Sequence, residues 1–224
     1  MNPYLEISMK KRIDRTLEKL QKNNMGAHYV NTRAEALSLI KDLLEEGNTV
    51  THGGSVTLQE IGVPALLKEG PYNYLDRSRE GITPEEIEQL YRDTFSADVF
   101  LTSTNAITEN GELYNVDGNG NRVSALIFGP KKVIVVAGYN KLVHNINDAV
   151  QRIKLIAAPP NCERLSRNTP CAVTGRCAST EKPDAYLCDG CASSDRICCS
   201  YVITAAQRVP GRIQVILVGE SLGY

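Results

Sequence analysis

Lys132-Val-Ile-Val-Val-Ala-Gly138 is the stretch that decides the predicted fold of this chain. The residues from Val133 to Val136 are all β-branched, and no polar side chain interrupts the run. Such a continuous apolar run is typical of a parallel strand that is covered on both faces. The segment Asp98–Ser103 (DVFLTS) has the same character and predicts a second buried strand.

Helices and shorter strands alternate outward from these two runs. Strands are predicted in the segments 48–55, 72–75, 112–116, 200–205 and 212–218. Helices are predicted over 4–24, from Thr32 to Gly47, over 55–68, from Thr83 to about Phe95, and over 147–157. The third helix is expected to break near Gly62 and Pro64, and Pro159 and Pro160 are expected to end the last one.

This alternation predicts an α/β fold, with a Rossmann-like, mostly parallel sheet that carries helices on both faces. We expect one domain over residues 1–224, because 224 residues suit a single large core. An irregular, cysteine-rich segment at 162–199 precedes the last strands.

Composition narrows the classes of partner. The formal net charge is −1 with a pI near 6.3, so the chain lacks the basic character of a nucleic-acid-binding protein. No apolar run approaches the roughly 20 residues that span a bilayer, and no apolar stretch follows a basic start. We therefore expect a cytoplasmic protein with no membrane or nucleic-acid partner.

Glycine, asparagine and hydroxyl residues collect where the predicted strands end. His52-Gly53-Gly54-Ser55 joins a strand to a helix, and glycines let the backbone approach a ligand closely. In open parallel sheets, ligands bind at this edge. The alternative is a tight turn in which Ser55 only caps the helix.

Two further loops have the same character. Thr104 and Asn105 follow the DVFLTS strand, and Asp117-Gly-Asn-Gly-Asn-Arg122 follows the next one. Arg122 has a planar fork that suits a carboxylate or phosphate, and Lys141 is a second candidate cation. The alternatives are complex turns and a surface arginine. The chain has no nucleotide-binding fingerprint of the G-x-G-x-x-G or G-x-x-x-x-G-K type.

These segments together resemble a known family. His52-Gly-Gly-Ser-Val-Thr-Leu-Gln-Glu-Ile-Gly62, Thr102-Ser-Thr-Asn-Ala-Ile-Thr108, Gly111-Glu-Leu, Asp117-Gly-x-Gly-Asn-Arg-Val123 and Gly129-Pro-Lys-Lys-Val-Ile-Val-Val look like the LUD (lactate-utilisation domain) family. The resemblance runs from about residue 10 to the end of the sequence. It implies a fold of the NagB/RpiA/CoA-transferase-like superfamily and a link to the oxidation of lactate to pyruvate.

By analogy with that superfamily, the ligand is a small anionic metabolite: a carboxylate, a sugar phosphate or an acyl-CoA. The resemblance and the loop pattern together give the candidate ligand-binding residues His52, Gly53, Gly54, Ser55, Thr104, Asn105, Asp117, Gly120, Asn121, Arg122 and Lys141. The cysteine-rich segment is absent from the short lactate-utilisation subunits, which weakens a direct transfer of the lactate role.

All seven cysteines lie between Cys162 and Cys199, in a chain without a secretory signal pattern. Four thiolates suffice for a structural zinc or an iron–sulfur cluster, and Cys188-Asp-Gly-Cys191 has a spacing that suits one metal ion. The candidate metal ligands are Cys171, Cys177, Cys188, Cys191 and Cys198. Cys162 and Cys199 are expected to be ordinary residues. Free reduced thiols and disulfides are the alternatives to a metal.

No catalytic residue is identified from the sequence. Ser55, His52 and Asp117 have the residue types of a hydrolase triad, but no G-x-S-x-G motif supports one. Two functions are therefore kept. One is an enzyme or enzyme subunit that acts on the small anion, and the other is an accessory protein with an iron–sulfur or zinc site and redox partner proteins. Self-association into a homo-oligomer is a further expectation.

Overall fold

A computed structural model describes residues 3–224 of the chain. The helices are α1 (Pro3–Lys22), α2 (Arg33–Leu43), α3 (Val56–Ile61), α4 (Val63–Glu69), α5 (Pro84–Asp93), α6 (Asn121–Ile127), α7 (Ile146–Arg152), α8 (Ala158–Arg164) and α9 (Pro170–Thr174). The strands are β1 (Gly26–Val30), β2 (Thr49–His52), β3 (Asn73–Tyr74), β4 (Val99–Thr102), β5 (Ala106–Thr108), β6 (Leu113–Asp117), β7 (Lys132–Gly138), β8 (Leu142–Val143), β9 (Ser200–Thr204) and β10 (Ile213–Val218).

The main sheet has six parallel strands in the order β1-β10-β7-β4-β2-β3. Strand β7 lies near its centre, between β10 and β4. Its side chains alternate between two buried clusters: Val133 and Val135 face one, and Ile134 and Val136 face the other. The predicted parallel sheet and the α/β fold class are confirmed.

Helices cover both faces of this sheet. Helices α1 and α6 contribute Ile13, Leu20 and Leu126 to the first cluster. Helices α2, α3 and α4 contribute Ile40, Leu58 and other apolar residues to the second. The strands are apolar on both sides because each face is buried under a helix layer.

A second sheet of four strands, in the order β8-β5-β6-β9, packs beside the first. Strand β6 runs antiparallel to both β5 and β9. The predicted strands at 112–116 and 200–205 therefore form in this second sheet, outside the parallel one. Four residues of strand β9 are partly buried and Ile203 is exposed, and its pairing with β6 is a long-range contact that the local pattern does not contain.

Six short elements escaped the sequence prediction: β1, β5, β8, α6, α8 and α9. Strand β1 (GAHYV) has no continuous apolar run, and all five of its residues are only partly buried. Its strand state depends on pairing with β10 at the sheet edge. The first glycine of this strand, Gly26, is the residue that we took as a helix stop.

The helix after Asn145 does not end at Pro159 and Pro160. It passes from α7 through a π-helical turn, Ile153–Ala157, into α8, where the prolines occupy the first turn. A proline is tolerated there because the first turn leaves N–H groups without helical acceptors anyway. Among residues 3–224, no helix is both long and apolar enough to cross a membrane.

Candidate functional site

A cavity of about 330 Å³ opens at the carboxyl edge of the main sheet. Its walls come from the segments that follow β2, β3, β4, β7 and β10, together with the β6–α6 turn and the region around α8. The predicted residues that line it are Gly54, Ser55, Thr104, Asn105, Asp117, Asn121, Arg122 and Lys141. The turns that carry Ser55, Asn105 and Arg122 therefore converge on one crevice, as expected.

Arg122 crosses this crevice with every N–H group already bonded to protein. Nε lies 3.2 Å from Asp117 Oδ2. Nη1 donates to Ser103 O and to Asn115 Oδ1, and Nη2 donates to Asn105 Oδ1 and to Val116 O. A guanidinium has five N–H donors, and this network uses five acceptors.

Arg122 therefore lines the cavity, but its donors are directed to protein groups. The guanidinium instead ties the loop after β4 to strand β6 and its following turn. Asn105 Oδ1 also accepts a hydrogen bond from Val116 N at 2.8 Å. The loop after β4 is therefore bonded both to Arg122 and directly to strand β6. Arg122 is a positioning residue: it sets the shape of the wall without offering a free donor.

The glycine pair gives room to two arginines. A Cβ on Gly53 would lie 3.0 Å from Arg122 Cγ, and one on Gly54 would lie 2.6 Å from Arg77 Nη2. Arg77 follows β3 and lines the cavity, with Nη1 3.5 Å from Tyr91 Oη as its one recorded hydrogen bond. The sequence analysis missed Arg77, because nothing near the edge strand marks that position as functional.

His52 lies behind the cavity wall, in a small adjoining cleft that also contains Gly53 and Arg77. Nδ1 lies 2.8 Å from Gly53 O, and Nε2 lies 2.8 Å from Tyr74 Oη. A carbonyl can only accept, so Nδ1 carries the hydrogen. Burial lowers the pKa of His52, which favours the neutral ring with Nε2 accepting from Tyr74. His52 does not line the larger cavity, and it bonds the backbone of the glycine turn.

Gly120 does not line the cavity either. Its φ of 82° lies in the left-handed region, and its N–H donates to Asp117 Oδ1 at 2.8 Å. A glycine adopts this conformation without strain. Gly120 thus shapes the turn into α6, and Asn121, the next residue, reaches the cavity.

Lys141 lies in the helical turn after β7, with 4% of its surface exposed. Nζ donates to Thr57 Oγ1 at 2.8 Å and to Ser103 Oγ at 3.0 Å. Burial, and then the nearby guanidinium groups of Arg152 and Arg122, lower the pKa of Lys141 to about 7. The amine is thus partly neutral near pH 7, in the wall of a cavity that ligands can enter.

The charge of the lining side chains is strongly positive. Asp117 is the one carboxylate among them within the described chain, and both its oxygens are bonded to protein. The cations are Arg77, Arg122, Lys141, Arg164 and Arg167. Arg164 bonds Asn161 and Tyr224, whereas the guanidinium of Arg167 makes no side-chain bond within residues 3–224. Neutral donors, including Asn105 Nδ2, complete the lining.

Five thiols lie around a second, much smaller cavity of about 20 Å³: Cys162, Cys171, Cys177, Cys191 and Cys198. The sulfur atoms of Cys162 and Cys171 are 3.6 Å apart, and all seven cysteines are free. This cavity shares Ile153, Ala158, Ile197 and Cys198 with the larger one. The two cavities are therefore neighbours.

Two cysteine assignments change. Cys162, which we expected to be ordinary, lies in the cluster on α8, while Cys188 is exposed and lies outside the cluster lining. The two thiols of the C-x2-C motif are thus separated: Cys191 lines the small cavity and Cys188 is exposed. Within residues 3–224, no three Cys, His, Asp or Glu side chains are arranged to hold a metal ion as they stand.

Hydrogen bonds order the cysteine-rich segment internally and attach it to the preceding helix. Arg196 donates to the carbonyl oxygens of Cys188, Cys191 and Cys198. In the π-helical turn, Ala158 N bonds Ile153 O, and Pro159 has no N–H, so Lys154 O has no helical partner. It accepts instead from Cys177 N at 2.9 Å. The prolines thereby create an attachment point for the segment.

Burial keeps two of the clustered thiols protonated. It raises the pKa of Cys162 to about 11 and that of Cys198 to about 12. Neighbouring sulfur atoms add to both shifts. In the metal-free protein, these thiols are therefore weak nucleophiles at neutral pH, because the thiolate is the reactive form.

The fold and the site define a Rossmann-like α/β protein with a cationic cavity at the carboxyl edge of its parallel sheet. The LUD domain family model matches residues 13–218. The chain therefore belongs to the LUD domain family, and the resemblance noted from the motifs is confirmed. A comparison with curated proteins finds no match.

Solved structures give more distant likenesses. A DUF162 family protein from Deinococcus radiodurans has a TM-score of 0.49 at 15% identity, covering 95% of this chain and 98% of that one. The beta subunit of eIF2B from Chaetomium thermophilum has a TM-score of 0.36 at 15% identity, covering 52% of this chain and 44% of that one. Ribose 5-phosphate isomerase from Plasmodium falciparum has a TM-score of 0.32 at 17% identity, covering 50% of this chain and 52% of that one. At these values, none of the three bears on function.

Proposed function

We propose that this LUD-family protein binds a small anionic metabolite in the cavity at the carboxyl edge of its sheet. The observation that carries the proposal is the charge of the lining: within residues 3–224, four arginines and Lys141, which is partly protonated near pH 7, line the cavity with one carboxylate side chain, whose oxygens already bond protein groups. A concentration of positive charge in a concave, partly desolvated site attracts anions. It is costly to the folded state unless a ligand or function compensates for it.

The ligand-binding groups in this proposal differ from those expected from the sequence. Arg77 and Arg167 have guanidinium donors to spare, whereas Arg122 has none. Asn105 Nδ2 adds an uncharged donor, since its Oδ1 is held by Arg122 and Val116. Two arginine forks and an amide suit the oxygens of a carboxylate or phosphate.

The volume limits the size of the ligand. Ligand cavities usually measure about 300–1,000 Å³, so 330 Å³ lies at the small end. A short carboxylic acid or a sugar phosphate fits inside such a volume. An acyl-CoA fits only through its acyl end, with the nucleotide portion outside. The proposal therefore favours a small carboxylate or sugar phosphate over acyl-CoA.

Ligand-induced stabilisation tests the proposal. The melting temperature would be measured with lactate, pyruvate, inorganic phosphate, ribulose 5-phosphate and CoA, because a ligand that binds the folded state raises it. We expect a rise with at least one small anion, and its loss in Arg77→Met. Arg92→Met is the matched control, because Arg92 lies on the exposed face of α5 and pairs with Glu88. No rise with any of these anions would overturn the proposal.

The thiol cluster supports a second candidate function, that of a redox-linked accessory protein with a cysteine-bound zinc or iron–sulfur site. Two thiolates on one tetrahedral zinc are about 3.8 Å apart, since zinc–sulfur bonds are about 2.3 Å long. The 3.6 Å between Cys162 and Cys171 is close to that distance. The 20 Å³ cavity suits one ion better than a cluster of irons, which favours zinc.

Metal binding at this cluster requires a further thiol, such as Cys177 or Cys198, to rotate toward the Cys162–Cys171 pair. Metal analysis of protein purified without oxygen tests it. We expect about one zinc per chain, reduced in Cys162→Ser and in Cys171→Ser but not in Cys199→Ser, whose thiol is exposed outside the cluster lining. A brown protein with iron and sulfide would support the cluster instead, and metal-free protein would remove this candidate.

A further inference from the structure

Lys141 is a buried amine without a counter-ion. Its side chain makes no ion pair with any residue between 3 and 224, although it is almost completely buried. Burying an unpaired ammonium group is expensive, so such lysines usually lose their proton. Glu60 is the carboxylate that favours the charged amine, and its effect is smaller than those of burial and of the two arginines.

The two hydroxyl groups around Lys141 define how the amine is oriented. Thr57 Oγ1 donates to Leu222 O, and Ser103 Oγ donates to Thr104 O. Their hydrogens are therefore committed elsewhere, and both oxygens accept from Nζ. A neutral amine has two hydrogens and one lone pair. The two hydroxyl oxygens accept both hydrogens of the neutral amine. The lone pair therefore points away from both hydroxyl groups.

That amine belongs to the wall of the proposed anion site. Lys141, Thr57 and Ser103 all line the 330 Å³ cavity, together with Arg77 and Asn105. A bound anion would therefore lie beside a nucleophilic nitrogen and not merely beside a positive charge. Burial and two nearby arginines, which lower the pKa of Lys141 to about 7, keep a substantial fraction of it unprotonated.

We propose that Lys141 forms a Schiff base with the carbonyl carbon of an anionic metabolite bound in this cavity. This inference rests on the proposed function and specifies its substrate class: a carbonyl group next to an anionic group. Such compounds include 2-oxo acids and keto-sugar phosphates. The free guanidinium groups bind the anionic end, and the carbonyl end reaches Lys141.

The chemistry balances without a cofactor. The Nζ lone pair attacks the carbonyl carbon, a C–N bond forms, and a proton moves from nitrogen to the former carbonyl oxygen to give a carbinolamine. Loss of that hydroxyl as water leaves a C=N bond to Lys141. The protonated imine withdraws electrons from the adjacent carbon, which labilises a C–H or C–C bond there. Addition of water reverses the step and restores the amine and the carbonyl.

Reductive trapping tests the assignment on the intact wild-type chain. Protein would be incubated with pyruvate or with ribulose 5-phosphate and treated with sodium borohydride, which reduces an imine to a stable amine. Intact mass should then increase by the mass of the probe less one oxygen atom. Peptide mapping should place the adduct on Lys141. Trapping by one probe alone would identify the ligand class.

Two lysine variants and a competitor complete the design. Lys141→Arg and Lys141→Met should lose the adduct, while Lys154→Arg should keep it, because Lys154 is equally buried but bonds Tyr186 O outside the cavity. Lactate, which has a hydroxyl group in place of the keto group of pyruvate and cannot form an imine, should compete with pyruvate. An adduct spread over surface lysines, or retained in both Lys141 variants, would overturn the proposal.

The melting temperature separates this inference from the function on which it rests. A probe that raises the melting temperature without giving an adduct overturns the Schiff base and leaves the anion site intact. If neither probe raises the melting temperature nor gives an adduct, the assigned substrate class falls as well. A stabilising anion without a carbonyl group, such as phosphate, would then show that the cavity still binds anions.

Discussion

Asp117 and Arg122 form a buried ion pair within a single turn, with Oδ2 of the aspartate 3.2 Å from Nε of the arginine. Asp117 ends β6 and Arg122 lies in the first turn of α6. The remaining four N–H groups of Arg122 reach residues 103, 105, 115 and 116. One side chain thus holds together two walls of the proposed binding site.

Arg122→Lys should destabilise the protein strongly. An ammonium group replaces five fixed donors by three, and leaves several buried oxygens without a partner. We expect the free energy of unfolding to fall by about 3 kcal/mol, as when one partner of a buried ion pair is removed. Urea denaturation measures this change.

The control for this prediction is Arg92→Lys. The Arg92–Glu88 pair is more than half exposed on both sides, and such pairs contribute about 0.5 kcal/mol at most. Equal denaturation midpoints for Arg122→Lys and Arg92→Lys would contradict the role of Arg122 in holding the two loops together. Arg122 would then again be a candidate for binding the anion.

The two glycines after β2 should respond differently to alanine. In Gly53→Ala the new methyl group meets Arg122 Cγ and Phe100, and Arg122 cannot move without breaking its network. Overpacking of this kind costs about 1–3 kcal/mol in stability. In Gly54→Ala the methyl group meets only the mobile end of Arg77. That variant should keep its stability but bind anions more weakly.

Denaturation and a ligand titration on both variants check this contrast. The two substitutions add the same methyl group at adjacent positions, so each is the control of the other. A Gly54→Ala protein that binds anions like the wild type would remove Arg77 from the site. A Gly53→Ala protein of unchanged stability would show that Arg122 is not held as tightly as its hydrogen bonds indicate.

The stability of the protein should rise with pH between about 7 and 10.5 because of Lys141. Burial lowers the folded-state pKa to about 7, while the unfolded lysine titrates near its ordinary value of 10.5. Between these values the unfolded state binds more protons, so the free energy of unfolding increases with pH. As the pH falls through this window, the folded state loses stability relative to the unfolded state.

Lys141→Met isolates this contribution, because methionine has a similar shape and does not titrate. The difference in unfolding free energy between wild type and Lys141→Met should change by a few kcal/mol across the window, in favour of the wild type at high pH. Other groups titrate in the same range, but they cancel in the difference. A constant difference from pH 7 to 10 would show that Lys141 stays charged in the folded state.

Pro159→Ala should loosen the cysteine-rich segment. The new N–H can bond Lys154 O, which now accepts from Cys177 N. We expect faster amide hydrogen exchange in the peptide around Cys177, since local opening controls exchange. Pro160→Ala is the control, because an N–H at 160 is one residue out of reach of that carbonyl in either helical form. Equal exchange in both variants would contradict the attachment by the π-helical turn.

Alkylation should distinguish exposed from clustered thiols. Cys188 and Cys199 are exposed, whereas Cys162 and Cys171 are buried and the pKa of Cys162 is raised to about 11. Iodoacetamide at pH 7.5 should therefore label Cys188 and Cys199 first, because reaction needs access and a thiolate. Mass spectrometry of timed samples gives the order. Early labelling of Cys162 would show that the cluster opens or that its thiolate is stabilised.

Local patterns in the sequence determined the main sheet, most of its helices and the caps that begin them. Thr83 caps α5, at the predicted helix start, and Thr32 caps α2 through Glu35 N. These features depend on residues within one turn or on the apolar content of one strand. The family motifs also located the loops that build the cavity. Short-range signals of this kind are readable because a few neighbouring residues create them.

Only the tertiary structure decided how those loops divide their tasks. Arg122 is a clamp and Arg77 a free cation because of partners that come from other strands, and the same holds for the pairing of β9 with β6. Cys162 lies within 3.6 Å of Cys171 because a π-helical turn carries the chain through two prolines. Hydrogen-bond partners and cavity walls are long-range contacts, and the identity of a residue does not state which of its donors the fold leaves free.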